Sequence, residues 1–168
     1  MFILARIALR VFGWMSVEVA DEELIVRAIF SPYHVDSKNK LKLEAFHPTP
    51  QTDEISVMRS SILGPRTCKR MAKKLETPTK TLRGFAVLSV RTTRSESFQV
   101  IDSRHGNFLG HADIRTGLTA PAKGVARSAD ELLRLRDHCR RLVTIARYYA
   151  DPFPTKLQWK GQKLRPLG

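Results

Sequence analysis

Residues 82–114, LRGFAVLSVRTTRSESFQVIDSRHGNFLGHADI, decide how the fold is read. Phe85, Val87 and Ser89 alternate with Ala86, Leu88 and Val90. Both faces of such an extended segment are largely apolar, which predicts a central strand over 82–94. Ser95-Glu96-Ser97 then turns the chain into a second extended run at 98–102, and the two runs read as a β-hairpin. His105-Gly106-Asn107 supplies residues suited to positive φ for another turn, and 108–114 follows as a third strand. A three-strand antiparallel meander is the expectation.

Downstream, Ser128 and Glu131 have the spacing of a capping box. Leu132, Leu135, Cys139, Leu142, Val143, Ala146 and Tyr149 recur at helical spacing, predicting a helix over 128–149. Upstream, Gly64-Pro65 opens a shorter helix over 65–75 with the stripe Cys68, Met71, Ala72 and Leu75. Residues 54–59, EISVMR, alternate as a strand, and 40–46, KLKLEAF, read as a half-buried one. Residues 21–30, DEELIVRAIF, suit a capped helix or a strand equally. The fold expected is α+β: an antiparallel sheet of about four to six strands, with a long C-terminal helix (128–149) and a short basic helix (65–75) packed on it.

A chain of 168 residues has the length of one domain and can bury a core without staples. The division expected is an N-terminal extension at 1–15, a single domain at 16–150 and a basic, proline-containing tail at 151–168. Residues 1–15 contain no acid and are too short and too charged to span a bilayer. They read as an import-like or surface helix, or as an extension preceding a start at Met15. No integral membrane association is expected. The two cysteines, Cys68 and Cys139, show no metal spacing and read as buried thiols in a reducing, cytoplasmic setting. No P-loop, GxGxxG or GxSxG occurs, so no cofactor is expected.

Charge is the strongest functional signal. Lys plus Arg number 29 against 16 Asp plus Glu, a net of +13. Removing residues 1–14 takes away only Arg6 and Arg10, leaving +11. Such a field favours polyanionic partners: nucleic acid, an anionic membrane surface or an acidic protein. Arg66, Lys69, Arg70, Lys73 and Lys74 crowd one side of the short helix. Lys156, Lys160 and Lys163 surround Trp159 in the tail, the mixture of cations and an aromatic ring that suits a single strand. The favoured expectation is a small nucleic-acid-binding or nucleoprotein-accessory protein, not primarily an enzyme. A purely solvated cationic face is the plainer reading.

Chemistry concentrates in one place. Asp102, His105, His111 and Asp113 fall within twelve residues. His111 and Asp113, two apart on a strand, would face the same way. Two imidazoles beside a cation are suited to metal-independent ribonuclease or phosphodiesterase chemistry centred on His105 and His111. His111, Asp113 and Asp102 would alternatively suit a divalent ion, although no metal spacing supports one. A structural role for all four is the competing expectation. Which face of the sheet His111 and Asp113 occupy, relative to the long helix, decides between them. His34 and His47 read as surface residues.

Overall fold

The computed structural model describes residues 18–49, 51–103, 108 and 110–167. The expectations for residues 1–15 and for His105 therefore lie outside the described residues. The described chain forms an α+β fold with a six-stranded antiparallel sheet. The strands are β1 (Leu24–Ser31), β2 (Glu54–Arg59), β3 (Thr81–Ser89), β4 (Gln99–Asp102), β5 (His111–Arg115) and β6 (Arg147–Ala150). They lie side by side in the order β4-β5-β2-β1-β3-β6. The helices are α1 (Ser60–Lys73), α2 (Val90–Ser95) and α3 (Ala129–Ile145), with a 3-10 turn at Leu43–Phe46.

The sheet is buried on both faces. Ile25, Ile29, Ile55, Val57, Leu88 and Ile114 form one core with Leu142 and Ala146 at the end of α3. Val26, Phe30, Met58, Phe85 and Val87 form the other, with Cys68 and Ala72 of α1 and Leu164 of the C-terminal segment. Each large apolar side chain so buried contributes roughly 1.5–3 kcal/mol. The alternation read in β3 is thus genuine: both its faces are covered, and it lies between β1 and β6. The two helices sit on opposite sides of the sheet. This separates Cys68 from Cys139, and both are free thiols.

Four local expectations are corrected. The extended run ends at Ser89, because the Ser89 hydroxyl accepts the Thr92 N–H at 3.0 Å and starts α2. Consequently β3 does not pair with β4 and the predicted hairpin does not form: of the expected meander only β4 and β5 pair, several strands away from β3. Residues 43–46 are a 3-10 turn, since Ala45 and Phe46 are both fully buried and an alternating strand would separate them. The long helix begins at its capping box as expected but stops at Ile145. Tyr148 and Tyr149 enter β6 and cover what would be the open edge of β3. Leu132, assigned to the helix stripe, is 53% exposed, so α3 packs mainly through Leu135, Cys139 and Leu142. Residues 21–30, ambiguous in sequence, resolve as the central strand β1.

Two irregularities shape the sheet. Opposite Ile29 and Phe30 the β1–β3 register shifts, with Gly84 and Leu82 as their partners. Gly84 there has φ +149°, and a Cβ on it would lie 2.0 Å from the Tyr149 carbonyl oxygen, so only glycine lets β6 approach. The second irregularity is a parting of strands. β1 pairs with β2 only at Ile25–Arg59 and Val26–Met58. Beyond them the Arg27 guanidinium takes over, donating from Nη1 to the Ser56 carbonyl at 2.6 Å and from Nε to the Ala45 carbonyl at 3.2 Å. A side chain thereby satisfies a strand carbonyl that would otherwise lack a ladder partner.

Candidate functional site

The expected cationic surface is assembled from α1 and the C-terminal segment. Arg66, Arg70 and Lys74 stand at i, i+4 and i+8 and are all exposed. This is one row along the helix, roughly 12 Å long. Lys69, expected beside them, is instead fully buried. It lies one residue from Cys68 on the inward side, and its ammonium meets the Asp151 carboxylate at 2.6 Å. It also donates to the carbonyls of Phe153 (2.9 Å) and Gln158 (3.1 Å). Lys73 is likewise turned inward in part, donating to the Pro154 carbonyl and pairing with Glu76. Both lysines therefore hold the C-terminal segment rather than face solvent as phosphate contacts.

That strap lays Lys156, Lys160 and Lys163, all exposed, along the same side of the sheet as the α1 row. Trp159 in the same segment is half-buried, its ring 5.2 Å from that of Phe85 and its Nε1 donating to the Gln162 carbonyl. It anchors the segment to the core.

The acids explain why this surface stays cationic. Glu23, Asp102 and Asp151 are engaged by buried Arg59 and Lys69. Glu22, Asp21, Glu54 and Glu96 pair with Arg91, Arg94, Arg115 and Arg141. Glu131 closes the capping box, where the Ser128 backbone and hydroxyl hydrogen bonds hold its carboxyl below the usual range. Among the described residues no carboxylate pairs with Arg66, Arg70, Lys74, Lys156, Lys160 or Lys163.

The four-residue cluster at 102–113 does not come together as expected. His111 pairs with Met58 and Asp113 with Ser56, so both project on the α1 side of the sheet, away from α3. Asp102 pairs with Ala112 of the α3-side core and projects on the opposite face, 3.8 Å from the Arg59 guanidinium. The divalent-ion triad is therefore split by the sheet, and no group of three potential ligands converges among the described residues.

His111 Nδ1 lies 2.9 Å from the Ser103 carbonyl oxygen. The Ser103 hydroxyl lies closer still, at 2.8 Å, so either tautomer of the ring finds a partner at Nδ1. Asp113 Oδ2 lies 3.8 Å from the same Nδ1, and its other oxygen is buried without a hydrogen-bond partner.

His111 also lines a cavity of about 450 Å³ that opens where β1 and β2 part. Its walls are Val26, Phe30, Met58, Met71, Leu75 and Phe108, and its polar groups come from Arg27, His34, Ser56, Lys80 and His111. Arg27 remains cationic although burial pushes it down to about 10, opposed by Asp113. Lys80 holds its ammonium 4.4 Å from the centre of the Phe30 ring. His34 accepts the Phe30 N–H on Nδ1 at 3.2 Å. Its pKa is lowered to about 4 by burial first, then by the Arg27 charge and, more weakly, by Lys80.

Arg27, His34 and Lys80 were not among the sequence candidates. A charged residue inside the apolar run LIVRAIF was the one available signal, because an arginine in a central strand needs buried partners. His34 and Lys80 join it only through the fold. Comparison with protein-family models, with curated proteins and with solved structures finds no match for this chain.

Proposed function

We propose that the protein binds nucleic acid through the exposed row of α1 and the C-terminal segment strapped beside it. The observation that carries this reading is the clustering of Arg66, Arg70, Lys74, Lys156, Lys160 and Lys163 on one side of the sheet without carboxylate partners among the described residues. Like charges at i, i+4 on a helix repel by a few tenths of a kcal/mol per pair, a cost that a polyanion offsets. Contacts of this kind read the phosphate backbone and release counterions, so they give affinity without base preference. The function is that of a small binding or nucleoprotein-accessory protein. Its two buried, separated thiols suit a reducing, cytoplasmic setting. No helix among the described residues is long and apolar enough to cross a membrane.

The test is fluorescence anisotropy with labelled single-stranded RNA, single-stranded DNA and duplex DNA, using protein cleared of copurifying nucleic acid. Binding at low salt that weakens steeply as salt rises is expected. No binding to any of the three at low salt removes this reading. A stoichiometric acidic protein partner that survives nuclease treatment would then take its place.

A further inference from the structure

We propose that the cavity between the parted strands β1 and β2 is a nucleotide-binding site, distinct from the cationic surface of α1 and the C-terminal segment. Its volume of about 450 Å³ lies within the range of roughly 300–1,000 Å³ typical of small-molecule sites. Its make-up has two parts. Phe30, Phe108, Met58 and Met71 give it aromatic and polarizable walls, the surfaces on which a planar base stacks. Arg27 and Lys80 bring two cations to it, while no carboxylate among the described residues lines it. Such a lining disfavours cations and neutral sugars and favours a planar body carrying an anionic group.

The donors needed for that anion are at hand. Arg27 uses one N–H on the Ala45 carbonyl and one on the Ser56 carbonyl, and a guanidinium has five. Because those two bonds fix it in the sheet, an anion that meets it costs little further side-chain freedom. Burial chiefly lowers the titration of His34, and the charges of Arg27 and, more weakly, Lys80 add to that lowering.

The cavity also has a reason to exist in the fold. Continued pairing of β1 with β2 would close it. Arg27 instead satisfies the Ser56 carbonyl, so the opening leaves no orphaned strand group there. A glutamine or methionine at position 27 would fill a sheet more cheaply than a charge. Asp113 offsets part of that charge, and an anion in the cavity would offset more.

The experiment titrates AMP, CMP, GMP and UMP into the full-length protein by calorimetry. Histidine-ring NMR resonances report the site, with adenosine and inorganic phosphate as the two half-ligands. Saturable binding of at least one nucleotide is expected, shifting the rings of both His34 and His111. Adenosine and phosphate should each bind about tenfold or more weaker. Two variants address the cavity. Met71→Trp fills it, and Lys80→Glu reverses the charge at a partly exposed position with little risk to folding. Each should abolish or weaken nucleotide binding by about tenfold or more, with folding checked by circular dichroism.

Arg66→Glu/Arg70→Glu should leave nucleotide affinity within about threefold, because those residues do not line the cavity. That result separates this site from the cationic surface, whichever of the two fails. A short oligoadenylate that displaces AMP identifies the source as the end of a strand, and one that does not identifies free nucleotide. No saturable binding of any of the four nucleotides overturns the proposal. So does binding that survives both Met71→Trp and Lys80→Glu, or adenosine binding as tightly as AMP.

Discussion

Replacing Lys69 with Met should do more than remove one charge. The ammonium and the Asp151 carboxylate are both fully buried and 2.6 Å apart, and the same ammonium ties down the carbonyls of Phe153 and Gln158. The variant leaves Asp151 charged in a dry site and frees two carbonyls of the strap. Breaking one side of a buried pair costs about 3–5 kcal/mol. For a domain of this size, each kcal/mol lowers Tm by roughly 2–4 °C, so a drop of about 6–20 °C is expected in a thermal melt. Lys69→Met/Asp151→Leu removes both charges and should recover most of the loss, because an apolar pair of similar volume meets no desolvation cost. The loosened strap has a functional consequence as well. Lys156, Lys160 and Lys163 are no longer held beside α1, so the single variant should bind nucleic acid more weakly while still folded at low temperature. A Tm within about 2 °C of the parent would refute the pairing as a structural anchor. A double variant no better than the single would refute the attribution to an uncompensated charge.

Three further outcomes test the framework. Gly84→Ala should destabilise by about 2–4 kcal/mol in urea denaturation, since its Cβ meets the Tyr149 carbonyl at 2.0 Å and its φ is +149°. Cys68 and Cys139, each pushed up to about 12 chiefly by burial, should resist alkylation at pH 8 in the native protein and react promptly in denaturant. His34 has a folded pKa near 4, below its ordinary 6.5, so the unfolded chain takes up its proton first. Its contribution to stability is therefore complete above pH 6.5, falls as pH drops toward 4 and levels off below that. Around the ring, Arg27 of β1 and Lys80 lower the value while the Ala28 carbonyl and Glu44 oppose them. His34→Gln should flatten this part of the stability profile relative to the parent.

Sequence patterning conveyed the class of fold well, because burial periodicity survives without knowledge of partners. β3 shows apolar residues on both faces because both faces are covered, and the capping box at Ser128 and Glu131 forms as written. What stayed hidden depended on context. The β-branched run after Ser89 suits a strand by propensity, yet a serine cap turns it into α2. Residues 147–150 continue the helical period of α3 but are drawn away to pair with β3. Lys69 looks like any other lysine until Asp151, far along the chain, arrives beside it.

The site was legible only in part, for the same reason. His111 and Asp113 do share a face, but Asp102 is carried to the other side by the β4–β5 register. The cavity gathers Arg27, His34 and Lys80 from distant segments, and no local spacing announces such a set.

The most direct test of the central claim is the salt dependence of single-stranded nucleic acid binding, measured for the parent and for two charge-reversed variants. Arg66→Glu/Arg70→Glu/Lys74→Glu alters the α1 row, and Arg134→Glu/Arg136→Glu alters exposed cations on α3, across the sheet. Each phosphate contact contributes about 0.7 to the slope of log K against log salt for a single strand, so losing three should reduce it by about 2. The account predicts that reduction for the α1 variant and a nearly unchanged slope for the α3 variant. Equal slopes for the parent and the α1 variant would contradict it.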